Sequence, residues 1–253
     1  MHELAFTVTG SGPAVVLVPG TASTVRDTWG ATVDALASSH TVIMPDLPGT
    51  GTSPLPDGPI DAATLAAQLV RVADNAGHDR FALAGASLGA PLALITAAVF
   101  PDHVTHVVSL CGFATARASL RLRLELWETI LDADPDAVGR LLLILGMPDA
   151  TAEQLPPEAL QGMIMALGSR RPPGLRAQIE LARTIDATGA LDAIHVPALV
   201  IGAEGDQFVD PAHSRYLVDR LSHAHVLMLK GSHGLGHEQP TLIAQSISDL
   251  IAR

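Results

Sequence analysis

The sequence predicts an α/β fold: a mostly parallel, twisted sheet with helices on both faces and an inserted helical cap. Three observations lead there. Short apolar runs bounded by glycine, proline or aspartate recur along the chain, segments with helical spacing separate them, and one long stretch breaks the alternation. With 253 residues the chain can bury a full core, and its length suits one domain with an insertion better than two independent ones.

Taken in order, residues 4–8 read as an edge strand. Residues 14–18, 41–44, 81–84, 104–110, 198–201 and 226–229 read as buried parallel strands, because each is a short, mainly apolar run bounded by glycine, proline or aspartate. Residues 62–76 set Leu65, Leu69, Val72 and Ala73 on one helical face, and residues 211–221 repeat the pattern with Tyr216, Leu217 and Val218. Such alternation implies right-handed crossovers. The uncharged stretch 81–100 is long enough to cross a bilayer, but Gly85, Ser87, Gly89 and Pro91 crowd its centre and split it into a strand and a helix over 91–100. Between 114 and 186 leucine, methionine and arginine dominate, and the pairs Pro156-Pro157 and Pro172-Pro173 punctuate short helices. This stretch reads as a cap inserted in a core formed by residues 1–113 and 187–253.

Charge narrows the partners. Lysine plus arginine number 15 against 26 aspartate plus glutamate, a net charge of −11 that repels nucleic acid and anionic membrane surfaces. The single cysteine, Cys111, allows no intrachain disulfide, and the start (Met1, His2, Glu3, Leu4) lacks a basic region followed by an apolar stretch. A reducing, cytoplasmic location is the expectation.

Gly85-Ala86-Ser87-Leu88-Gly89 is a G-x-S-x-G segment between a predicted strand and a predicted helix. In that context the turn is sharp, the serine is pushed out of the sheet, and flanking glycines avoid clashes with neighbouring backbone. A serine hydroxyl is a weak nucleophile until a histidine takes its proton and an acid fixes that histidine's tautomer. Asp206 follows the strand over 198–201, and His233 follows the strand over 226–229, so both belong to strand C-termini, where such sheets gather catalytic groups. Asp210 is the rival acid, although its place before Pro211 reads better as a helix N-cap. His237 has the i+4 spacing of a second metal ligand after His233, but Gly234 and Gly236 argue against a helix there, and no H-E-x-x-H is present. His78, His195, His213, His223 and His225 read as loop or helix residues with solvated or structural roles. Asp46 reads as a turn residue of the loop at Gly49 and Gly51, whose spacing does not fit a dinucleotide loop. No metal or cofactor is indicated.

These segments resemble the α/β-hydrolase fold family over nearly the whole chain outside the cap. Val15-Val16-Leu17-Val18-Pro19-Gly20 is similar to the family's strand ending in His-Gly, with Pro19 in place of the histidine, and Trp29 falls where a tryptophan is frequent. Asp46-Leu47-Pro48-Gly49-Thr50-Gly51-Thr52-Ser53 resembles its D-x-x-G-x-G-x-S turn, and His233 with Glu238 and Pro240 resembles its H-x4-E-x-P ending. The resemblance implies a Ser87, Asp206, His233 triad in the family's chain order and an oxyanion hole of the Leu88 and Thr21 backbone N–H groups, with the Thr21 or Ser23 hydroxyl as the alternative donor where Pro19 replaces the family's histidine. Serine at 87 implies acyl chemistry rather than epoxide or haloalkane hydrolysis, which needs a carboxylate nucleophile.

The expected reaction is hydrolysis of an ester, thioester, lactone or activated C–C bond of a small, largely apolar molecule. Acyl transfer, cyclisation, perhydrolysis and a non-catalytic receptor are the alternatives. Residues 141–145 with Met147, Met163, Met165 and Leu167 are expected to wall the chamber or pack the cap onto the body. Eight arginines fall in the cap, among them Arg117, Arg121, Arg123, Arg170 and Arg171; most pair with nearby acids, and one or two are available to hold a substrate carboxylate or phosphate.

Overall fold

Seven strands form one sheet in the computed structural model, which describes residues 3–253. Met1 and His2, part of the start read for a targeting segment, lie outside the described residues. The strands are β1 (Phe6–Thr9), β2 (Ala14–Val18), β3 (Thr41–Pro45), β4 (Phe81–Ala86), β5 (Val104–Leu110), β6 (Ala198–Ala203) and β7 (Ala224–Leu229), in the order β1-β3-β2-β4-β5-β6-β7. β1 runs antiparallel to β3 and every other pairing is parallel. From β2 the chain moves outward to β3 and then returns to the other side as β4. The order reverses between β2 and β4, and such a reversal opens a crevice at the strand C-termini.

β2, β3, β4 and β6 are buried along their whole length, which explains why their sequences are continuous apolar runs. Alternate residues serve opposite faces. Val16 and Val18 join one core cluster with Leu69, Leu92 and Leu217, whereas Val15 and Leu17 join a second with Leu36, Ile243 and Ile247. β7 departs from the expectation of a buried strand: it is the sheet's edge, and Val226 is half exposed. β1 begins at Phe6 because the Ala5 N–H donates to Ser53 Oγ at 2.8 Å and Leu4 turns into the core.

Helices α1 (Val25–Trp29) and α2 (Thr32–Ala37) follow β2, α3 (Ala62–Asn75) follows β3, and α4 (Gly89–Val99) follows β4. The uncharged 81–100 stretch is thus a strand and a helix, and among the described residues no helix is long and apolar enough to cross a membrane. Asp61 starts α3 by accepting the Thr64 N–H at 2.7 Å. Pro91 lies in the first turn of α4, where its missing N–H costs no intrahelical bond. Five α-helices and a 3-10 helix (Thr188–Ala193) fill the stretch between β5 and β6, the α-helices being α5 (Ala118–Ile130), α6 (Pro135–Gly146), α7 (Asp149–Ala152), α8 (Pro157–Ser169) and α9 (Leu175–Thr184). At their base Thr115 and Asp186 form an antiparallel bridge, and the Ala187 N–H donates to the Ala114 carbonyl at 2.9 Å. The chain ends with α10 (Ala212–Arg220), α11 (Leu235–Glu238) and α12 (Pro240–Ile251).

Candidate active site

Ser87 follows β4 directly and has φ +52°, in the left-handed region that disfavours side chains. Two hydrogen bonds hold this turn: the Ser87 N–H donates to the Leu110 carbonyl, and the Ala90 N–H to the Ser87 carbonyl, both at 3.0 Å. A Cβ at Gly85 would run into the Gly89 carbonyl, and one at Gly89 would lie 2.6 Å from the Val18 carbonyl oxygen. Only glycine permits this crossing of helix and strand.

Ala22 (φ +57°) and Cys111 (φ +46°) share the unusual conformation of Ser87, and among the described residues these are the only non-glycine residues with positive φ. They follow β2 and β5, the two neighbours of β4, and all three line one cavity. Backbone strain is retained where surrounding structure enforces it, and it concentrates at functional sites.

Asp206 lies three residues past β6 and is almost fully buried. Its Oδ1 accepts the Phe208 and Val209 N–H groups, each at 2.8 Å, while Oδ2 accepts His233 Nδ1–H at 2.7 Å. That bond fixes the neutral imidazole as the Nδ1–H tautomer and leaves Nε2 with a free lone pair. Asp210 lies one residue ahead of the N-cap position expected for it: Pro211 is the cap residue of α10, and Asp210 Oδ1 accepts the Ala212 N–H at 2.8 Å from the preceding position.

His233 sits on a loop held by Glu238, whose carboxylate accepts the Ser232 N–H at 3.0 Å and the Ser232 hydroxyl. Gly231 at φ +147° passes against that carboxylate, leaving no room for a Cβ. Contrary to the expectation from Gly234 and Gly236, residues 235–238 form the short helix α11. One turn suffices because the Glu238–Ser232 bonds close it. His237 donates Nε2–H to the Asp27 carbonyl at 2.7 Å.

The cavity holds about 690 Å³, within the range of small-molecule sites. Thr21, Ser87, Phe208 and His233 line it, and Leu88 is the buried first residue beyond the serine. Ser87 and His233 face the same space without a direct hydrogen bond, as is common before a ligand tightens such a site. Ser23 Oγ donates to the Thr21 carbonyl at 3.2 Å and so braces its own loop. From α6, α8 and the turn after α6 come Leu142, Leu143, Met147, Met163 and Leu167. Ile144 and Met165 are instead largely exposed, and Leu145 belongs to the core, because each helix offers only one face to the cavity.

Four of the eight arginines between 114 and 186 pair with acids as expected, Arg140 with Asp136, Arg170 with Asp27, Arg176 with Asp132 and Arg183 with Glu128 and Glu180, and the other four find other partners. Arg117 lies 4.7 Å over the Tyr216 ring, and Arg121, Arg123 and Arg171 donate to the carbonyls of Ala116, Phe208 and Leu131. Arg170 lines the cavity mouth and pairs with Asp27 at 3.0 Å. His225 lies in β7 rather than a loop or helix, and His213 is buried in α10, where burial pulls its pKa down to about 4. Asp46 is a turn residue as expected, with Oδ2 accepting the Thr52 N–H at 3.0 Å.

Four residues escaped the sequence reading. Gln178 of α9 is fully buried: its Oε1 accepts the Ala22 N–H at 2.7 Å, and its Nε2 donates to the Pro48 carbonyl at 2.9 Å and to Thr50 Oγ1 at 2.7 Å. Phe208 stacks on the His233 ring, with centroids 5.0 Å apart and planes at 26°, and Trp127 of α5 meets Phe208 edge-on. Cys111 lies beside Asp206 and His233, the three offering ligand atoms within 4.8 Å of one another. Burial, then the Asp206 charge, push the Cys111 thiol far above its ordinary pKa, which keeps it protonated and a poor metal ligand. Only Gln178, a polar residue that shares a helical face with Leu175, Leu181 and Ala182, carried any hint in the sequence.

Comparison with known proteins places this geometry among relatives. A family profile described as alpha/beta hydrolase fold matches residues 13–240. Pyrrolizixenacetamide deacetylase from Xenorhabdus hominickii is 30% identical over 244 residues, 94% of this chain and 90% of the relative. A hydrolase from Pseudomonas aeruginosa shares the fold at TM-score 0.85 and 24% identity, over 99% of this chain and 94% of its own. The enol-lactonase from Burkholderia xenovorans does so at TM-score 0.85 and 21% identity, over 99% and 96%.

Proposed function

The chain belongs to the α/β-hydrolase fold family and is a hydrolase of that family, and from that premise we propose that it cleaves an acyl bond through an acyl-enzyme on Ser87. Ser87 Oγ attacks the carbonyl carbon while His233 Nε2 takes the hydroxyl proton, and the carbonyl electron pair moves onto oxygen. The backbone N–H groups of Leu88 and Thr21 receive that oxyanion. Collapse of the intermediate expels the leaving group, which takes the proton from His233. Water, activated by the same imidazole, then releases the acyl group.

Asp206 holds His233 in the tautomer that leaves Nε2 able to accept and stabilises the imidazolium once formed. The observation that carries the reading is the 2.7 Å bond from His233 Nδ1 to an Asp206 carboxylate that is itself held by two backbone N–H groups, at the cavity Ser87 enters. Preorganised donors at the oxyanion are worth about 3 kcal/mol each in comparable sites.

Residues 114–186 serve as the cap in this reading, a unit supported by the Thr115–Asp186 bridge at its base. The apolar wall from α6 and α8 favours a small, largely apolar acyl compound, an ester, thioester, lactone or amide. The deacetylase and enol-lactonase among the similar proteins support an acyl carbonyl as the target. Incubation with a fluorophosphonate probe should label the wild type and leave Ser87→Ala unlabelled; equal labelling of both removes Ser87 from the mechanism.

A further inference from the structure

We propose that Phe208 is a positioning residue for His233, braced from the cap by Trp127 and Arg123, an inference that rests on the reading of His233 as the proton shuttle. Each bond to Phe208 serves a different partner. Its N–H donates to Asp206 Oδ1 at 2.8 Å, its carbonyl accepts from Arg123 Nη1 of α5 at 3.3 Å, and its ring lies under the His233 imidazole at 5.0 Å. Trp127, on the same helix as Arg123, presses on the Phe208 ring at 6.0 Å with the planes at 90°. Phe208 is buried. The stack therefore limits rotation of the imidazole about the bond to Asp206, a freedom that a single hydrogen bond leaves open.

The ring also discriminates between two states of its neighbour. While the imidazole is neutral, its stacking on Phe208 is a modest aromatic contact. When His233 accepts the Ser87 proton, the cation lies over the electron-rich face of Phe208, and attraction grows. An interaction that strengthens in the transition state raises kcat and leaves KM nearly unchanged. A residue that merely walls the acyl pocket has the opposite signature. Because Trp127 and Arg123 belong to α5, the same contacts tie the cap to the shuttle.

The test compares wild type, Phe208→Leu, Phe208→Tyr and Trp127→Leu in turnover of p-nitrophenyl acetate, in fluorophosphonate labelling rate and in thermal melting. Phe208→Leu keeps the backbone N–H to Asp206 and removes the ring. Its kcat and labelling rate should fall about 5- to 10-fold, the rate equivalent of an aromatic contact with added cation–π character, at a KM within about twofold. Phe208→Tyr should recover most of the loss, and Trp127→Leu should lower kcat in the same direction by a smaller factor. A Phe208→Leu kcat within about twofold of wild type, a raised KM in its place, or a folded tyrosine variant as slow as leucine overturns the inference. Should Phe208→Leu fail to fold, Trp127→Leu decides: an unchanged kcat overturns the brace. A wild type that does not label at Ser87 defeats the functional reading instead, so the two failures are distinct.

Discussion

Replacing Asp206 by asparagine changes one atom and tests the acid's role without emptying its site. Oδ1 accepts two backbone N–H groups and Oδ2 accepts His233 Nδ1–H, so the carboxylate receives three donors and offers none. Asparagine has one oxygen and one NH2. With its oxygen toward the Phe208 and Val209 N–H groups, its NH2 faces His233 and forces the imidazole into the Nε2–H tautomer. Nε2 can then no longer take the Ser87 proton, and in triads of this kind the same change lowers kcat about 10⁴-fold. The fold should survive, since both N–H groups keep their acceptor. Asp206→Ala deletes that acceptor and leaves two buried N–H groups unpaired, at a cost of about 3 kcal/mol or roughly 6–12 °C in Tm. Stopped-flow turnover of p-nitrophenyl acetate beside differential scanning calorimetry separates the two effects. An Asp206→Asn enzyme within tenfold of wild type, with Asp210→Asn slower, would refute the assignment and transfer the role to Asp210.

Gln178→Leu removes the acceptor of the Ala22 N–H and two donors from the loop at Pro48 and Thr50, all buried. The Thr21–Ala22 segment should lose its alignment, lowering kcat about tenfold or more at a similar KM, and unsatisfied buried groups should lower Tm by several degrees; melting loss with full kcat would confine Gln178 to a structural role. His213 predicts a pH effect. Its folded pKa of about 4 lies below the ordinary 6.5 because burial disfavours the cation, so the unfolded chain binds the extra proton between those values. Its contribution, roughly 3 kcal/mol, is fully present above about pH 6.5 and lost as pH falls through about 4. Chemical denaturation of wild type and His213→Gln across that window should show a slope that the variant lacks, and parallel slopes would contradict it.

Most of the sheet was legible because fully buried strands are apolar throughout: β2 matches the residues expected from sequence, and β3, β4 and β6 differ only at their C-termini, while β5 also matches although Thr105 and His106 are partly exposed. The weaker signals sat at edges. β7 keeps an apolar sequence while half of Val226 faces outward, and β1 starts late because Ser53, remote in sequence, captures the Ala5 N–H. The placement of Ser87 and His233 at one cavity, with Asp206 bonded to His233, was legible from strand-end positions and from motif spacing. Phe208 and Gln178 were not, since a phenylalanine after a loop and a glutamine on a helix acquire meaning only when distant segments meet them. The turn of α11 was missed for a related reason: its two glycines argue against a helix locally, and the Glu238–Ser232 bonds override that argument. Between residues 114 and 186, period alone could not tell which side of α6 or α8 faces the cavity, so Ile144 and Met165 were read inward.

The covalent intermediate itself is the most direct test of the account. Wild-type protein mixed with p-nitrophenyl acetate and acid-quenched within the pre-steady-state burst should yield, on peptide mapping by mass spectrometry, an acetyl group on the Ser87 peptide that disappears in Ser87→Ala together with turnover. Turnover that persists in Ser87→Ala, or an acetyl group carried on another residue at the catalytic rate, would contradict an acyl-enzyme at Ser87.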